Sequence, residues 1–126
     1  NIFPFFFFFC ILNSSVDFLI ATDQQINCKA SNIKVIQSSL PNIKDKLERL
    51  LGMRIWLEKP YKLCDFRPLY KELFFEYVKD YDFWGYCDID LVWGDLEKWI
   101  NDTSLATVDR VSEWGHCSLF RNNKRI

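Results

Sequence analysis

The stretch Phe83-Trp84-Gly85-Tyr86-Cys87-Asp88-Ile89-Asp90 joins an aromatic, apolar run to two acids that are separated by one residue. A short apolar run of this kind is typical of a buried strand, so we expect a strand over residues 83–87. Residues i and i+2 of a strand point to the same side, and Asp88 and Asp90 would project together if the strand continued through them. Neighbouring carboxylates favour a hard divalent cation, which binds oxygen ligands. The stretch predicts a metal–phosphate site at a strand end; two solvated acids in a turn are the alternative.

An amphipathic helix is predicted directly before this strand. Apolar side chains recur at i, i+3, i+4 and i+7 over residues 66–81. Asp65 is suited to the N-cap position, and Pro68 would fall in the first turn. Lys62 and Arg67 lie on either side of this helix start, where an anion such as a phosphate is favoured. A capping acid beside two solvated cations is the alternative interpretation.

Further elements are predicted on both sides of this region: a helix over residues 2–13, strands over 16–21 and 33–37, and helices over 43–51 and 96–100. The phenylalanine-rich run at 2–13 fits a buried strand equally well, because its periodicity does not distinguish the two. Asn42 and Asp95 are the expected caps of the two later helices, and Gly52 is the expected end of the first of them.

Apolar strands that alternate with helices indicate an α/β domain with a mostly parallel sheet. Such sheets bind ligands beyond the carboxyl ends of their strands. Asp23 follows one predicted strand, and Asp88 and Asp90 follow another. We therefore expect these acids to share one site.

Composition sets the broad class of the protein. The 126 residues fit one domain, and a net charge of -1 gives no basic field for nucleic acid. The 5 cysteines are scattered without a Cys-x-x-Cys pattern, which favours reduced thiols in a cytoplasmic protein. The apolar run at 2–13 is too short to span a bilayer, and a truncated signal peptide is its alternative interpretation. We expect residues 1–126 to form a single partial domain, incomplete at both ends.

His116 is the only histidine of the chain and lies in the run Gly115-His116-Cys117-Ser118. It is a candidate contact for a metal or a phosphate, and a partly buried hydrogen-bonding residue is the alternative. No nucleophile–base pair can be assembled from the sequence, so the catalytic residue is unassigned. Glycine-rich phosphate-binding patterns are absent from the sequence.

Taken together, these segments resemble GT-A fold glycosyltransferases with an Asp-x-Asp motif, and among them bacterial transferases that build capsular or other surface polysaccharides. The resemblance rests on an Asp-Phe-Arg-Pro helix start at 65–68, a Tyr-Asp-Phe-Trp-Gly run at 81–85 and a Gly-His-x-Ser-Leu-x-Arg-Asn segment at 115–122. The strand that ends in Thr22-Asp23 is similar to the second strand of that family. In one departure, Arg67 follows Asp65 by two positions, whereas better-studied relatives have three.

This resemblance implies a GT-A-like, Rossmann-like, mostly parallel sheet flanked by helices. It implies Mn²⁺ or Mg²⁺ as the cofactor, with Asp88 and Asp90 holding both the metal and the ribose or diphosphate of the donor. It also implies a set of substrate-binding residues, namely Asp23, Lys62, Asp65, Arg67, His116 and Arg121.

The function implied is metal-dependent, hexosyltransferase-like transfer of a sugar from a nucleotide-sugar, expected to be a UDP-sugar, to a polysaccharide, glycan or lipid-linked acceptor. The expected location is the cytoplasm or, peripherally and without a transmembrane segment, the inner face of the membrane. Two alternatives remain. One is a nucleotide-sugar-binding module without turnover. The other is a haloacid-dehalogenase-like phosphatase, whose Asp-x-Asp pattern would make Asp88 a nucleophile.

Overall fold

The computed structural model describes residues 3–112 and 115–123 of the chain. The α-helices are α1 (Phe3–Leu12), α2 (Leu40–Leu51), α3 (Tyr70–Leu73), α4 (Phe75–Val78) and α5 (Asp102–Leu105), and 3-10 segments cover Pro60–Leu69 and Leu96–Lys98. The strands are β1 (Phe18–Thr22), β2 (Ile33–Gln37), β3 (Phe83–Cys87), β4 (Arg110–Val111) and β5 (Cys117–Arg121). The predicted strands at 16–21, 33–37 and 83–87 are confirmed, with small shifts at their ends.

The strands form two separate sheets. β1 and β2 pair in parallel, from Phe18 opposite Ile33 to Thr22 opposite Gln37. The second sheet has the order β3-β5-β4, and both of its pairings are antiparallel. The expectation of one mostly parallel, GT-A-like sheet is therefore wrong for this structure, which is a small two-sheet α+β domain.

The physical reason lies in how β3 is covered. A near-continuous apolar strand predicts a parallel sheet because such sheets are buried on both faces. β3 is covered on both faces within an antiparallel sheet. On one face Trp84 stacks on Phe120 of β5, with ring centroids 5.1 Å apart. On the other face Cys87 packs against the cluster beneath α1. The apolar pattern thus reports burial and does not report strand direction.

The first core lies between α1 and the parallel sheet. Phe6 and Cys10 of α1 pack against Ile20 of β1 and Ile33 of β2. This confirms the helical interpretation for Phe3–Leu12, and residue 2 lies outside the described residues. The buried side-chain amide of Asn32 donates to the carbonyl of Cys10 at 2.9 Å, and it also contacts two carbonyls of the following turn. No helix among the described residues is long and apolar enough to cross a membrane.

The second core lies beneath α2, where Ile43 and Leu47 pack with Leu57. The helix begins at Leu40, three residues before the predicted start, and its cap is Ser39 instead of Asn42. The Ser39 hydroxyl accepts the backbone N–H of Asn42 at 3.3 Å. The predicted end at Gly52 is confirmed: this residue has φ 66° and its N–H bonds back to the helix.

The long helix predicted from residue 65 to 81 is wrong. The structure has the 3-10 segment Pro60–Leu69 followed by the two short helices α3 and α4. Pro68 has no N–H to donate, and Phe74 interrupts the helical backbone with φ -115°. An i, i+3 pattern also suits a 3-10 helix, in which such side chains eclipse one another. Phe66, Leu69 and Leu73 pack against the second core, so the first part of the apolar pattern indicated burial correctly. Tyr77 and Tyr81, at the end of the pattern, are exposed.

The helix predicted over 96–100 is a 3-10 segment of three residues, Leu96–Lys98. Asp95 makes no side-chain cap hydrogen bond there. The backbone N–H of Leu96 instead donates to the side-chain oxygen of Asn13 at 2.8 Å. The side-chain amide of Asn13, just after α1, thus satisfies the first backbone donor of this segment.

Replacement of Gly85 by alanine tests the close approach of β3 and β5. A Cβ at Gly85 would collide with the backbone carbonyl oxygen of Ser118, which cannot move without disturbing the strand pairing. We expect Gly85→Ala to lower the free energy of unfolding by about 1–3 kcal/mol, measured by urea denaturation. Gly94→Ala is the matched control, because its Cβ would meet no other atom within 4 Å. Equal stability of the two variants would contradict the strand pairing described.

Candidate functional site

The pairing of β3 with β5 brings Asp88 and His116 together. Cys87 lies opposite Cys117 in this antiparallel pair, and the next position places Asp88 opposite His116. The backbone N–H of Asp88 donates to the carbonyl of His116 at 2.8 Å. Two predicted site residues, separated by 28 positions, thus become direct neighbours.

The carboxylate of Asp88 is held by two side chains. Its Oδ1 accepts a hydrogen bond and ion pair from Nη2 of Arg67, and its Oδ2 lies 2.9 Å from Nδ1 of His116. Because an ionised carboxylate only accepts hydrogen bonds, Nδ1 must carry the proton. In this tautomer Nε2 is the acceptor of the ring. The His116 side chain is 75% exposed, which leaves that nitrogen available to a ligand.

Arg67 is positioned by contacts on several sides. Its Nη1 donates to the carbonyl of Gly115, and its guanidinium lies over the ring of Tyr86 at 5.0 Å from the centroid. Only 19% of the Arg67 side chain and 26% of the Asp88 side chain are exposed. Burial alone would lower the pKa of Arg67, but the Asp88 carboxylate, with smaller contributions from Cys64 and Tyr70, outweighs it and the pKa is raised. The guanidinium therefore stays charged.

Two tyrosine side chains, Tyr70 and Tyr86, pack together next to Arg67. The ring of Tyr70 meets that of Tyr86 edge to face, with centroids 6.3 Å apart. The Tyr70 hydroxyl donates to the carbonyl of Leu63 at 3.0 Å, within the 3-10 segment that carries Arg67. Burial raises the pKa of Tyr70 to about 12, so the hydroxyl stays protonated and keeps donating at neutral pH.

Asp90 lies just beyond this cluster. β3 ends at Cys87 and residues 89–90 form a turn, so the strand argument for a shared side does not apply to Asp88 and Asp90. Asp90 is exposed, and its side chain makes no hydrogen bond or ion pair with any other residue in 3–112 or 115–123. Its carboxylate oxygens are therefore open to a partner from solution.

Asp88 and Asp90 were predicted to hold a divalent cation. No group of three or more His, Cys, Asp or Glu side chains in the described part of the chain is arranged to hold a metal. Mg²⁺ and Mn²⁺ do not need such a cage, because they bind through one or two carboxylates together with water and substrate phosphates. Asp90 offers one free carboxylate, whereas both oxygens of Asp88 are bonded to Arg67 and His116. The metal site therefore stays a prediction.

Three other predicted site residues, Lys62, Asp65 and Asp23, make no hydrogen bond or ion pair with Asp88 among the described residues. Lys62 and Asp65 form an exposed ion pair with each other at 3.5 Å. Asp23 follows β1 and is exposed. Among residues 3–112 and 115–123, no hydrogen bond or ion pair joins any of these three to the Arg67–Asp88–His116 cluster. Their proposed contacts with a donor remain predictions.

Arg121 lies on the opposite face of the antiparallel sheet from Asp88. Its Nε donates to the carboxylate of Asp109 at 3.1 Å, and its Nη2 donates to the carbonyls of Leu105 and Val108 at 2.6 and 2.8 Å. The guanidinium also lies over the ring of Phe83. These contacts tie the segment after α5 to β5, so within the described residues Arg121 holds the sheet together.

Two contributors to the site were not anticipated. Tyr86 lies under the Arg67 guanidinium, and the carbonyl of Gly115 accepts from it. The position of Tyr86, two residues before Asp88 on the same strand face, is the signal that could have indicated it. A backbone carbonyl leaves no signal in the sequence.

A double-mutant cycle tests the pairing of Arg67 with Asp88. Both side chains are largely shielded from water, so we expect Arg67→Met and Asp88→Asn to be coupled by about 1–3 kcal/mol in urea unfolding. The exposed pair Lys62 and Asp65 is the matched control, with an expected coupling below about 1 kcal/mol. Equal coupling in the two pairs would show that Arg67 and Asp88 do not form a shielded ion pair.

Comparison with known proteins assigns the chain to a family. Neither the curated proteins nor the solved structures include a match to this chain. One family model matches residues 1–126, and its description is "Family of unknown function (DUF6625)". Because the match extends over the whole chain, the protein belongs to the DUF6625 family.

Proposed function

We propose that this chain is a metal-dependent glycosyltransferase domain that moves a sugar from a nucleotide-sugar, expected to be a UDP-sugar, to a polysaccharide or glycan acceptor. The observation that carries the proposal is the convergence of Arg67, Asp88 and His116. These residues come from three separate segments, and each lies in a motif that resembles one of the GT-A fold transferases. The exposed Asp90 completes the set.

The charges of the cluster suit a diphosphate. Asp88 is balanced by Arg67, so the buried part of the site carries no excess negative charge. The exposed His116 ring and the charged Arg67 lie beside the Asp88 carboxylate. A guanidinium and an imidazole are common partners of phosphate oxygens. Asp90, two residues after Asp88 in the chain, contributes an open carboxylate.

A divalent cation held by Asp90 and Asp88 would neutralise the charge that develops on a leaving nucleoside diphosphate. The acceptor hydroxyl oxygen forms the new bond to the anomeric carbon and gives up its proton to a base, while the bond from that carbon to the diphosphate oxygen breaks and the diphosphate leaves with the electron pair. His116, whose Nδ1 is held by Asp88, presents Nε2 to donate to a phosphate oxygen when protonated, or to accept a proton when neutral.

The partners and location follow from the same proposal. A nucleotide-sugar donor is a cytoplasmic metabolite, so we place the domain in the cytoplasm. A lipid-linked acceptor would bring it to the inner face of the membrane as a peripheral protein. Arg67 and His116 engage both carboxylate oxygens of Asp88, which leaves Asp88 less free either to act as the nucleophile of a phosphatase or to bind a cation.

The same engagement of Asp88 favours a second candidate, a module that binds a nucleotide-sugar without transfer. An acid whose oxygens are both bonded to side chains has less freedom to share a cation. Calorimetry separates this candidate from an enzyme, because nucleotide binding that requires Mn²⁺ would then occur without any transfer or hydrolysis of the donor.

Turnover of UDP-sugars by the intact protein with Mn²⁺ tests the proposal. We expect measurable transfer or slow donor hydrolysis, and a decrease of at least about 100-fold in Asp90→Asn, because an electrostatic contact to the leaving group is lost. Asp95→Asn is the matched control: this nearby exposed acid pairs only loosely with Lys98, at 3.8 Å. It should retain wild-type turnover.

Two results would contradict the assignment. Undiminished turnover in Asp90→Asn would remove the metal site from the mechanism. Absence of both turnover and Mn²⁺-dependent nucleotide binding in the intact protein would remove the nucleotide-sugar itself.

A further inference from the structure

A pair of cysteines lies directly across the antiparallel sheet, one position before the site. Cys87 at the end of β3 is opposite Cys117 at the start of β5. The next pair along, Asp88 and His116, is joined by a backbone hydrogen bond, as is the pair of Asp82 and Asn122 at the other end of the strands. Hydrogen-bonded and non-hydrogen-bonded pairs alternate in antiparallel sheets, so the two cysteines form a non-hydrogen-bonded pair.

This type of pair brings two side chains close together on one face. Opposite Cα atoms in a non-hydrogen-bonded pair are about 4.5 Å apart, which lies within the range that a disulfide spans. Both cysteines are free thiols and both are partly buried. Burial, together with the neighbouring thiol of Cys117, raises the pKa of Cys87 to about 12. Burial likewise raises the pKa of Cys117, with a further contribution from Asp88.

We propose that Cys87 and Cys117 are a modification site, a thiol pair that a low-molecular-weight disulfide such as oxidised glutathione converts into a reversible cross-strand disulfide. The thiolate of one cysteine attacks a sulfur of oxidised glutathione, and one glutathione thiolate leaves. The second cysteine then attacks the protein sulfur of this mixed disulfide, and the second glutathione leaves. The two cysteines lose two electrons and two protons, and oxidised glutathione is reduced to two glutathione thiols.

The location of the bond gives the modification a structural consequence. The disulfide would tie β3 to β5 at the position next to Asp88 and His116, and so would restrain the relative movement of these two side chains. The inference rests on strand pairing and is independent of the proposed glycosyltransferase activity.

The other cysteines provide the competing pairings. Cys10 belongs to the core cluster against which both Cys87 and Cys28 pack. Cys10 lies on α1, however, and no strand pairing fixes its distance to Cys87 or Cys28. Cys64 lies on the 3-10 segment, away from these four residues in the sequence, and is partly exposed.

Peptide mapping of the intact protein after equilibration with excess oxidised glutathione tests the proposal. Because buried thiols exchange slowly, the end point is read after prolonged incubation. Trypsin cleavage after Lys79, Lys98, Arg110 and Arg121 would release residues 80–98 and 111–121, each with one cysteine. We expect these peptides to be joined by a disulfide, with the mass of two hydrogen atoms lost, and to separate again on addition of dithiothreitol.

Two variants and one condition make the test specific. Cys64→Ser should leave the cross-link unchanged, whereas Cys117→Ser should abolish it. Oxidation in urea should give mixed pairings, because only the folded sheet favours this pair. A predominant link from Cys87 to Cys10, or five free thiols in the folded wild-type protein at equilibrium, would overturn the proposal. This wild-type result is decisive even if Cys117→Ser fails to fold.

Discussion

The carboxylate of Asp88, held between Arg67 and His116, is the interaction on which the rest of the site depends. It joins the 3-10 segment Pro60–Leu69, the end of β3 and the start of β5 at one point. A charge with only 26% of its side chain exposed would be costly without a partner. Arg67 supplies the opposite charge, and its own remaining contacts with Gly115 and the Tyr86 ring fix where it lies.

This dependence explains why the aromatic residues near the site matter. Tyr86 and Tyr70 form an edge-to-face pair beneath the guanidinium, and Tyr70 also bonds to the segment that carries Arg67. The site is therefore supported by the sheet on one side and by the 3-10 segment on the other. An exposed acid, Asp90, and an exposed imidazole, His116, are left to meet a ligand. Rigid support beneath two open polar groups is the arrangement that a binding site requires.

Much of the local structure could be predicted from the sequence, because burial and chain reversal leave local signals. The strands β1, β2 and β3 were indicated by short apolar runs, and Gly52 by its freedom to take a positive φ. The sheet arrangement could not be predicted, because β3 is equally apolar in a parallel or an antiparallel sheet when both faces are covered. The helix over residues 65–81 failed at Pro68 and Phe74, where the backbone departs from an α-helix while the apolar spacing continues.

Some of the predicted site residues come together in the structure and others do not. Arg67, Asp88 and His116 were predicted from motifs and do come together, but their direct hydrogen bonds required the pairing of β3 with β5, which the sequence did not show. Arg121 was predicted to face the site, yet alternation along β5 places it on the other face of the sheet. Lys62 and Asp65 are exposed and bond to each other.

We propose that Asp88, Asp90 and His116 bind a divalent cation together with a nucleoside diphosphate. His116 is the only histidine, so its ring protons give a single set of NMR signals. We expect Mn²⁺ added with UDP to broaden these signals at a substoichiometric amount of metal. Mg²⁺, which is not paramagnetic, should leave them sharp, and Asp90→Asn should abolish the effect of Mn²⁺. Signals that stay sharp in the wild-type protein with excess Mn²⁺ and UDP would contradict the claim.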